Sequence, residues 1–160
     1  MNRMKAIPTK FNNIVYRSKS EARLAVCFCD WGWDFTYEPQ IKSMPGFHPD
    51  FLVNHKNDHL RIIEYKPVKP TGTYIGKLAG NFRTLFLNNR KSNLVLRCEL
   101  WCIDFFNNEI DLYVFDANGK MSNRAWLKGK SIDPGIDFRF DLHEESLAKV
   151  DLSFIDRIRK

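Results

Sequence analysis

The sequence predicts an α/β domain in which a central mixed β-sheet is flanked by helices. Its 160 residues suit a single domain spanning 1–160, and 44% of them are hydrophobic, which is enough to bury a sizeable core. The spacing of the apolar residues changes along the chain between helical and strand-like periods. The resulting order is a helix, three strands, a second helix, two strands and a C-terminal appendage, which is typical of a sheet covered by helices.

The first predicted element is a helix over residues 18–31. Ser18 and Glu21 occupy the two positions of a capping box, in which side chains and backbone amides close the first helical turn. Ala25 and Phe28 follow Glu21 at helical spacing, so Glu21 heads the stripe of the helix that faces inward.

Three short strands are predicted next, at 34–37, 47–54 and 60–66. The second and third flank the polar run 55–59, and two apolar runs around such a segment indicate a hairpin. Prolines follow the last of these strands and end it.

A second helix is predicted from the helical spacing of Tyr74, Leu78 and Phe82. Thr71 or Thr73 can cap its start. Three glycines share one line of this helix and permit close approach to a sheet or to a phosphate backbone: Gly72, Gly76 and Gly80.

Two further strands, at 94–104 and 110–115, complete the predicted core. Residues 1–13 are expected to form a loose basic lead-in. The core spans 14–118, and residues 119–160 are expected to form a C-terminal extension packed on or beside it.

The polar residues of the predicted hairpin carry the chemistry. A turn centred on Asn57 places Asp50 directly opposite Glu64, with Cβ atoms about 5 Å apart. Two carboxylates at that separation repel each other unless a cation lies between them, and Mg²⁺ favours sites of one or two carboxylates completed by water and phosphate. Lys66 shares a strand face with Glu64, where it can orient a metal-bound water or contact a phosphate oxygen. Glu21 can reach the same ion through a water.

These residues resemble the PD-(D/E)XK nuclease superfamily. Pro49-Asp50 is followed, after thirteen intervening residues, by Glu64-Tyr65-Lys66, and Ser20-Glu21-Ala22-Arg23 resembles the first acidic motif of the superfamily. Together with Tyr37-Glu38-Pro39, these segments look like small phage-encoded members and like the endonuclease subunit of Tn7-type transposases. The resemblance covers roughly residues 14–115.

The resemblance implies a restriction-endonuclease-like core and a metal-dependent DNA endonuclease of a phage or mobile element. It assigns Asp50 and Glu64 as ligands of Mg²⁺, with Mn²⁺ as a substitute, and the Tyr65 carbonyl as a further ligand. Lys66 would be the catalytic lysine and Glu21 the auxiliary carboxylate.

The expected partner is DNA. The formal net charge of +6 favours a polyanion, and three cations after the hairpin are expected to contact its backbone: Lys69, Lys77 and Arg83. No apolar run approaches the roughly 18 residues of a membrane helix, so we expect a soluble cytoplasmic protein, in the host cytoplasm if it is viral. The amphipathic stretch 147–158 would contact a second copy or another protein.

Other interpretations stay open. Glu21 can serve as a capping residue alone, and Asp50 and Lys66 can form an ion pair on an exposed hairpin. A nucleic-acid-binding module without turnover, and a nuclease subunit that is active only with a protein partner, fit the same residues. The cysteines lack metal-site spacing and are expected to be reduced core thiols: Cys27, Cys29, Cys98 and Cys102.

Overall fold

The computed structural model describes residues 6–55, 59–68, 70–104, 109–127 and 130–131. Within these ranges the elements are, in chain order, β1 (Thr9–Phe11), β2 (Ile14–Tyr16), α1 (Lys19–Asp30), β3 (Asp34–Tyr37), β4 (Phe51–His55), β5 (His59–Lys66), α2 (Gly72–Asn89), β6 (Val95–Asp104), β7 (Glu109–Phe115), β8 (Met121–Leu127) and β9 (Lys130–Ser131).

Seven strands form one mixed sheet in the order β3-β4-β5-β6-β7-β8-β9. Strands β5 and β6 run parallel, and the other neighbouring pairs run antiparallel. A parallel pair needs a crossover connection, and α2 supplies it. The predicted mixed sheet is therefore confirmed.

The two helices cover opposite faces of this sheet. On one face, α1 packs into a core that contains Ile63 and Trp101, and on the other face α2 packs into a core that contains Ile62 and Leu100. Neighbouring residues of a strand point to opposite faces, so the adjacent isoleucines of β5 serve one core each. This arrangement makes β5 a central strand and confirms that helices flank the sheet.

Both helices begin where the sequence predicts. The Ser18 hydroxyl accepts a hydrogen bond from the Glu21 amide at 3.1 Å and caps α1. The Thr71 hydroxyl accepts one from the Tyr74 amide at 3.3 Å and caps α2, which decides between the two predicted starts. Among the described residues, neither helix combines the length and the apolar composition needed to cross a membrane.

The register of the β4–β5 hairpin matches the prediction. Phe51 lies opposite Ile63, and continuing that register places Asp50 opposite Glu64. Strand β4 begins at Phe51, later than predicted. Pro49 has no amide N–H to give to a strand ladder, so the segment before Asp50 approaches the sheet without joining it.

Residues 9–16 form a separate hairpin, where a loose lead-in is expected from the sequence. Asn12 and Asn13 connect its strands with φ angles of 47° and 64°. Two successive positive φ angles are typical of the two-residue turns that match the twist of a hairpin. The hairpin ends directly before Arg17 and therefore fixes the position of that residue.

The sheet continues beyond the predicted core boundary at residue 118. Strands β8 and β9 extend it at the edge, after a turn in which Gly119 has a φ of 81°. The strand predicted near 138–142 and the helix predicted over 147–158 lie outside the described residues.

All four cysteines are free thiols. Cys27, Cys98 and Cys102 are buried, as expected for core thiols, whereas Cys29 is exposed. Cys29 lies near the C-terminal end of α1, where the helix leaves the core.

The glycines of α2 do not approach the sheet. A Cβ atom added at Gly72, Gly76 or Gly80 would meet no atom within 4 Å. The sheet-packing explanation for these residues is therefore excluded, and they leave one exposed stripe of the helix without side chains.

We expect Gly76→Ala and Gly80→Ala each to raise the free energy of unfolding by about 1 kcal/mol, because alanine has the better helix propensity and its methyl group touches nothing here. Urea denaturation measures the effect. Gly119→Ala is the opposite control, since its φ of 81° and a contact at 3.4 Å with the Ala79 carbonyl oxygen should make it destabilising. Unchanged or lower stability of the two helix variants would mean that the glycines are needed for the packing or conformation of α2.

Candidate active site

Asp50 and Glu64 meet where β5 leaves the sheet toward α2. The Asp50 amide donates a hydrogen bond to Glu64 Oε1 at 3.0 Å, and the Tyr65 amide donates one to Asp50 Oδ2 at 2.8 Å. These reciprocal backbone bonds fix the two carboxylates beside each other, as the hairpin register predicts. Lys66, two residues after Glu64, lies on the same side of β5.

Both carboxylates are buried, with exposed fractions of 4% for Asp50 and 8% for Glu64. Burial raises the pKa of Asp50 to about 6, and the negative charge of Glu21 adds to this rise. Burial also raises the pKa of Glu64 to about 7, with the charge of Asp50 as the next cause. Two ionised groups in this position destabilise each other, so the site favours a cation.

Tyr74, from the first turn of α2, contacts both Glu64 and Lys66. Its hydroxyl donates a hydrogen bond to Glu64 Oε2 at 3.0 Å, and Lys66 Nζ lies 4.8 Å from the centre of its ring, within cation–π range. Burial and the charge of Glu64 raise the pKa of the Tyr74 phenol, so it stays protonated and acts as a donor. The sequence identifies Tyr74 as an apolar helix position and gives no signal for this polar role.

Glu21 is buried on α1, and it has a partner that the sequence does not indicate. The Tyr37 hydroxyl, from the end of β3, donates a hydrogen bond to Glu21 Oε2 at 2.5 Å. Burial raises the pKa of Tyr37, so this phenol also remains a donor. The side chain of Glu21 therefore does more than a capping residue requires, and its negative charge acts on Asp50.

Arg17 connects the acidic residues of the site. Its Nη2 atom lies 2.6 Å from Asp50 Oδ1 and 3.7 Å from Glu21 Oε1, and its Nε atom lies 2.6 Å from Glu38 Oε1. Its backbone amide donates a hydrogen bond to the Tyr37 hydroxyl at 3.0 Å. Neither Arg17 nor Glu38 is predicted as a site residue from the sequence.

Glu38 adopts an uncommon backbone conformation at this site. Its φ of 47° is left-handed, which costs a residue with a side chain roughly 1–2 kcal/mol. Its amide donates a hydrogen bond to the Asp50 carbonyl oxygen at 2.8 Å, which holds the conformation in place. In the sequence, Glu38 appears only within the segment Tyr37-Glu38-Pro39 of the family resemblance, which assigns it no role in the site.

Of the three cations predicted to bind nucleic acid, two are described. Lys77 and Arg83 are both exposed on α2, on the side that carries Gly76 and Gly80. Lys69 lies outside the described residues. The exposed face of α2 thus combines cations with a stripe that has no side chains, and the helix begins beside the carboxylates.

The donor set fits a hard divalent cation. Mg²⁺ prefers carboxylate oxygens and commonly binds through one or two of them, keeping waters and substrate phosphates as its other ligands. Asp50 and Glu64 supply such a pair, and a cation would relieve the repulsion that raises their pKa values. Within the described ranges, no group of three or more His, Cys, Asp or Glu side chains is placed to hold a metal. The Tyr65 carbonyl stays a predicted ligand.

No protein-family model matches the chain, and the comparisons with curated proteins and with solved structures give no match either. Function is therefore inferred from the geometry of the site and from the motifs in the sequence.

Metal-free protein is expected to lose stability as the pH rises from 5 to 8, relative to the Asp50→Asn/Glu64→Gln double variant. The folded-state pKa values of about 6 and 7 exceed the ordinary 3.8 and 4.5, so folding favours the protonated carboxyls. Their stabilising contribution is fully present below the ordinary values and is lost as the pH rises through 6 to 7. One pKa unit corresponds to about 1.4 kcal/mol. Between pH 5 and pH 8 the free energy of unfolding should therefore fall by about 2–4 kcal/mol more in the wild-type protein than in the double variant.

Urea denaturation in EDTA at both pH values measures this difference. Because the other titrating groups are common to both proteins, the comparison isolates the pair. Parallel pH dependences of wild type and double variant would show that folding does not raise the pKa values of these two carboxyls.

Proposed function

We propose that the protein is a metal-dependent DNA endonuclease of the PD-(D/E)XK type, with a restriction-endonuclease-like core. The observation that carries the proposal is the buried pair of Asp50 and Glu64, held opposite each other by reciprocal backbone hydrogen bonds at 3.0 and 2.8 Å. Lys66 follows on the same side of the strand. These three residues belong to the motifs on which the sequence resemblance depends.

In this role Asp50 and Glu64 hold Mg²⁺, or Mn²⁺ in its place. When bound, such an ion polarises the scissile phosphate and lowers the pKa of the attacking water. Burial of both carboxylates supports the assignment, because a low-dielectric surrounding strengthens their attraction for a cation.

Lys66 and Tyr74 act beside the metal ligands. The ammonium group of Lys66 is placed to stabilise negative charge on the phosphoryl oxygens as it develops, which is the effect of preorganised positive groups in phosphoryl transfer. Tyr74 donates to Glu64 and packs its ring against Lys66, so it orients both. Glu21, held by Tyr37, adds negative charge behind Asp50.

The exposed face of α2 supports DNA as the substrate. At 1.5 Å per residue, Lys77 and Arg83 lie roughly 5 and 14 Å along the helix from Tyr74, so positive charge extends away from the site. Gly76 and Gly80 have no side chains, which leaves room beside these cations for a DNA backbone to approach the helix. The net charge of +6 favours the same partner.

A cleavage assay tests the proposal. Supercoiled plasmid, linear duplex and single-stranded DNA are incubated with the wild-type protein in Mg²⁺, Mn²⁺ or EDTA and separated on gels. We expect products that require the metal and that reveal the preferred DNA form. DNA that is retarded on the gel but not cut in either metal would instead indicate a binding module or a subunit that needs its partner.

A further inference from the structure

We infer that Arg17 is an internal counter-cation of the candidate active site, and that a divalent cation must displace its guanidinium from Asp50 in order to bind. The inference rests on the proposed function, since it concerns the same carboxylates. It adds a competing group that sets the metal affinity of the site.

The two oxygens of Asp50 have different partners. Oδ2 accepts the Tyr65 amide at 2.8 Å, which leaves Oδ1 as the oxygen that faces away from this backbone bond. Arg17 Nη2 lies 2.6 Å from Oδ1, at the distance of a charge-assisted hydrogen bond. A cation that uses Oδ1 therefore competes with the guanidinium for the same atom.

The surroundings of Arg17 allow this exchange. Its side chain is 62% exposed, so its ion pairs are screened by water and are weak compared with those of a buried arginine. Glu38 Oε1 lies 2.6 Å from Nε and offers a partner that remains when Nη2 leaves Asp50. The Arg17 backbone amide donates to the Tyr37 hydroxyl at 3.0 Å and Arg17 Nε donates to the same oxygen at 3.4 Å, so the chain stays anchored at Tyr37 when Nη2 leaves Asp50.

A positive charge that competes with a metal ion lowers the affinity for that ion. Arg17→Met keeps a long unbranched side chain and removes the charge. We expect it to lower the dissociation constant for Mn²⁺ by about five- to tenfold. This factor is at the lower end of the range by which one ligand typically changes the affinity for another, because solvent screens the exposed guanidinium. Arg17→Lys keeps the charge and should stay close to wild type.

The experiment is calorimetric titration of the full chain with Mn²⁺ alone, without DNA. Asp50→Asn is the control for loss of the metal site. Lys42→Met removes the same charge at an exposed position on the adjoining loop, where Ser43 accepts a hydrogen bond from Asn88 at 2.9 Å. Asn88 lies roughly 20 Å along α2 from Tyr74, so Lys42→Met should not change the affinity.

The outcomes separate this inference from the proposed function. The inference is supported if Arg17→Met binds Mn²⁺ more tightly than wild type while Arg17→Lys and Lys42→Met stay close to wild type. Raised salt should then narrow the difference in Mn²⁺ affinity between Arg17→Met and wild type. Equal or weaker binding by Arg17→Met, where wild type binds and Asp50→Asn does not, overturns the inference alone. If wild type and Arg17→Met bind Mn²⁺ no better than Asp50→Asn, the metal site itself is refuted and the proposed function falls with it.

Circular dichroism of each variant shows whether it is folded. Should Arg17→Met fail to fold, Arg17→Gln replaces it, since a neutral amide can still donate to Glu38. Its Mn²⁺ affinity should then exceed that of Arg17→Lys, and the reverse order would overturn the inference.

Discussion

Lys66→Ala is expected to slow DNA cleavage by about a hundred- to a thousandfold while leaving the protein folded. Loss of one preorganised group that stabilises transition-state charge typically has this effect. Lys66 ends β5 and is half-buried, and its ammonium group lies 4.8 Å from the ring centre of Tyr74. Because the residue stands at the end of a strand, truncating its side chain removes little packing from either core.

Single-turnover cleavage at saturating protein measures this rate without a contribution from DNA affinity. Lys77→Ala is the matched control, since Lys77 is an exposed lysine on α2 and should weaken binding while preserving the saturated rate. A Lys66→Ala rate within about threefold of wild type would remove Lys66 from the proposed catalytic group.

Glu99→Ala is expected to lower the free energy of unfolding by about 3–5 kcal/mol, the largest stability effect that we predict. Glu99 is fully buried, and its Oε1 atom lies 3.1 Å from the Nε atoms of both Arg61 and Arg97. Its Oε2 atom accepts a hydrogen bond from Trp101 Nε1 at 2.7 Å. Removing the carboxylate takes away the negative charge that Glu99 gives to two arginines, which is the costly way to break a buried ion pair.

Urea denaturation followed by circular dichroism measures the loss. Asp34→Ala is the control, because Asp34 is an exposed carboxylate on the edge strand β3 and should change stability by less than about 0.5 kcal/mol. A similarly small change for Glu99→Ala would mean that the buried ion pairs contribute little to the fold.

Local signals in the sequence predict much of the fold. The capping box locates the start of α1, and the polar turn between two apolar runs fixes the β4–β5 register. Since side chains alternate along a strand, that register alone brings Asp50 opposite Glu64 and places Lys66 on the same side. These features depend on residues close together in the chain, where periodicity and turn chemistry are informative.

The remaining contacts of the site join residues that are distant in the chain. Arg17 is 33 positions from Asp50, and periodicity assigns each to a face without pairing them. In the sequence, Tyr37 stands out only within the segment Tyr37-Glu38-Pro39 and Tyr74 only as an apolar helix position, because a phenol that packs and a phenol that donates look alike in sequence. One local signal was available, since Asn12-Asn13 between apolar residues favours a hairpin turn, and that hairpin leads directly to Arg17.

Anomalous diffraction from crystals of the protein soaked in Mn²⁺ shows whether Asp50 and Glu64 together hold a divalent cation. We predict a manganese peak within about 2.5 Å of Asp50 Oδ1 and of a Glu64 carboxylate oxygen, with the Arg17 guanidinium moved off Asp50. If no peak appears at this position at saturating Mn²⁺ and Arg17 is still bound to Asp50, the two carboxylates do not hold a divalent cation.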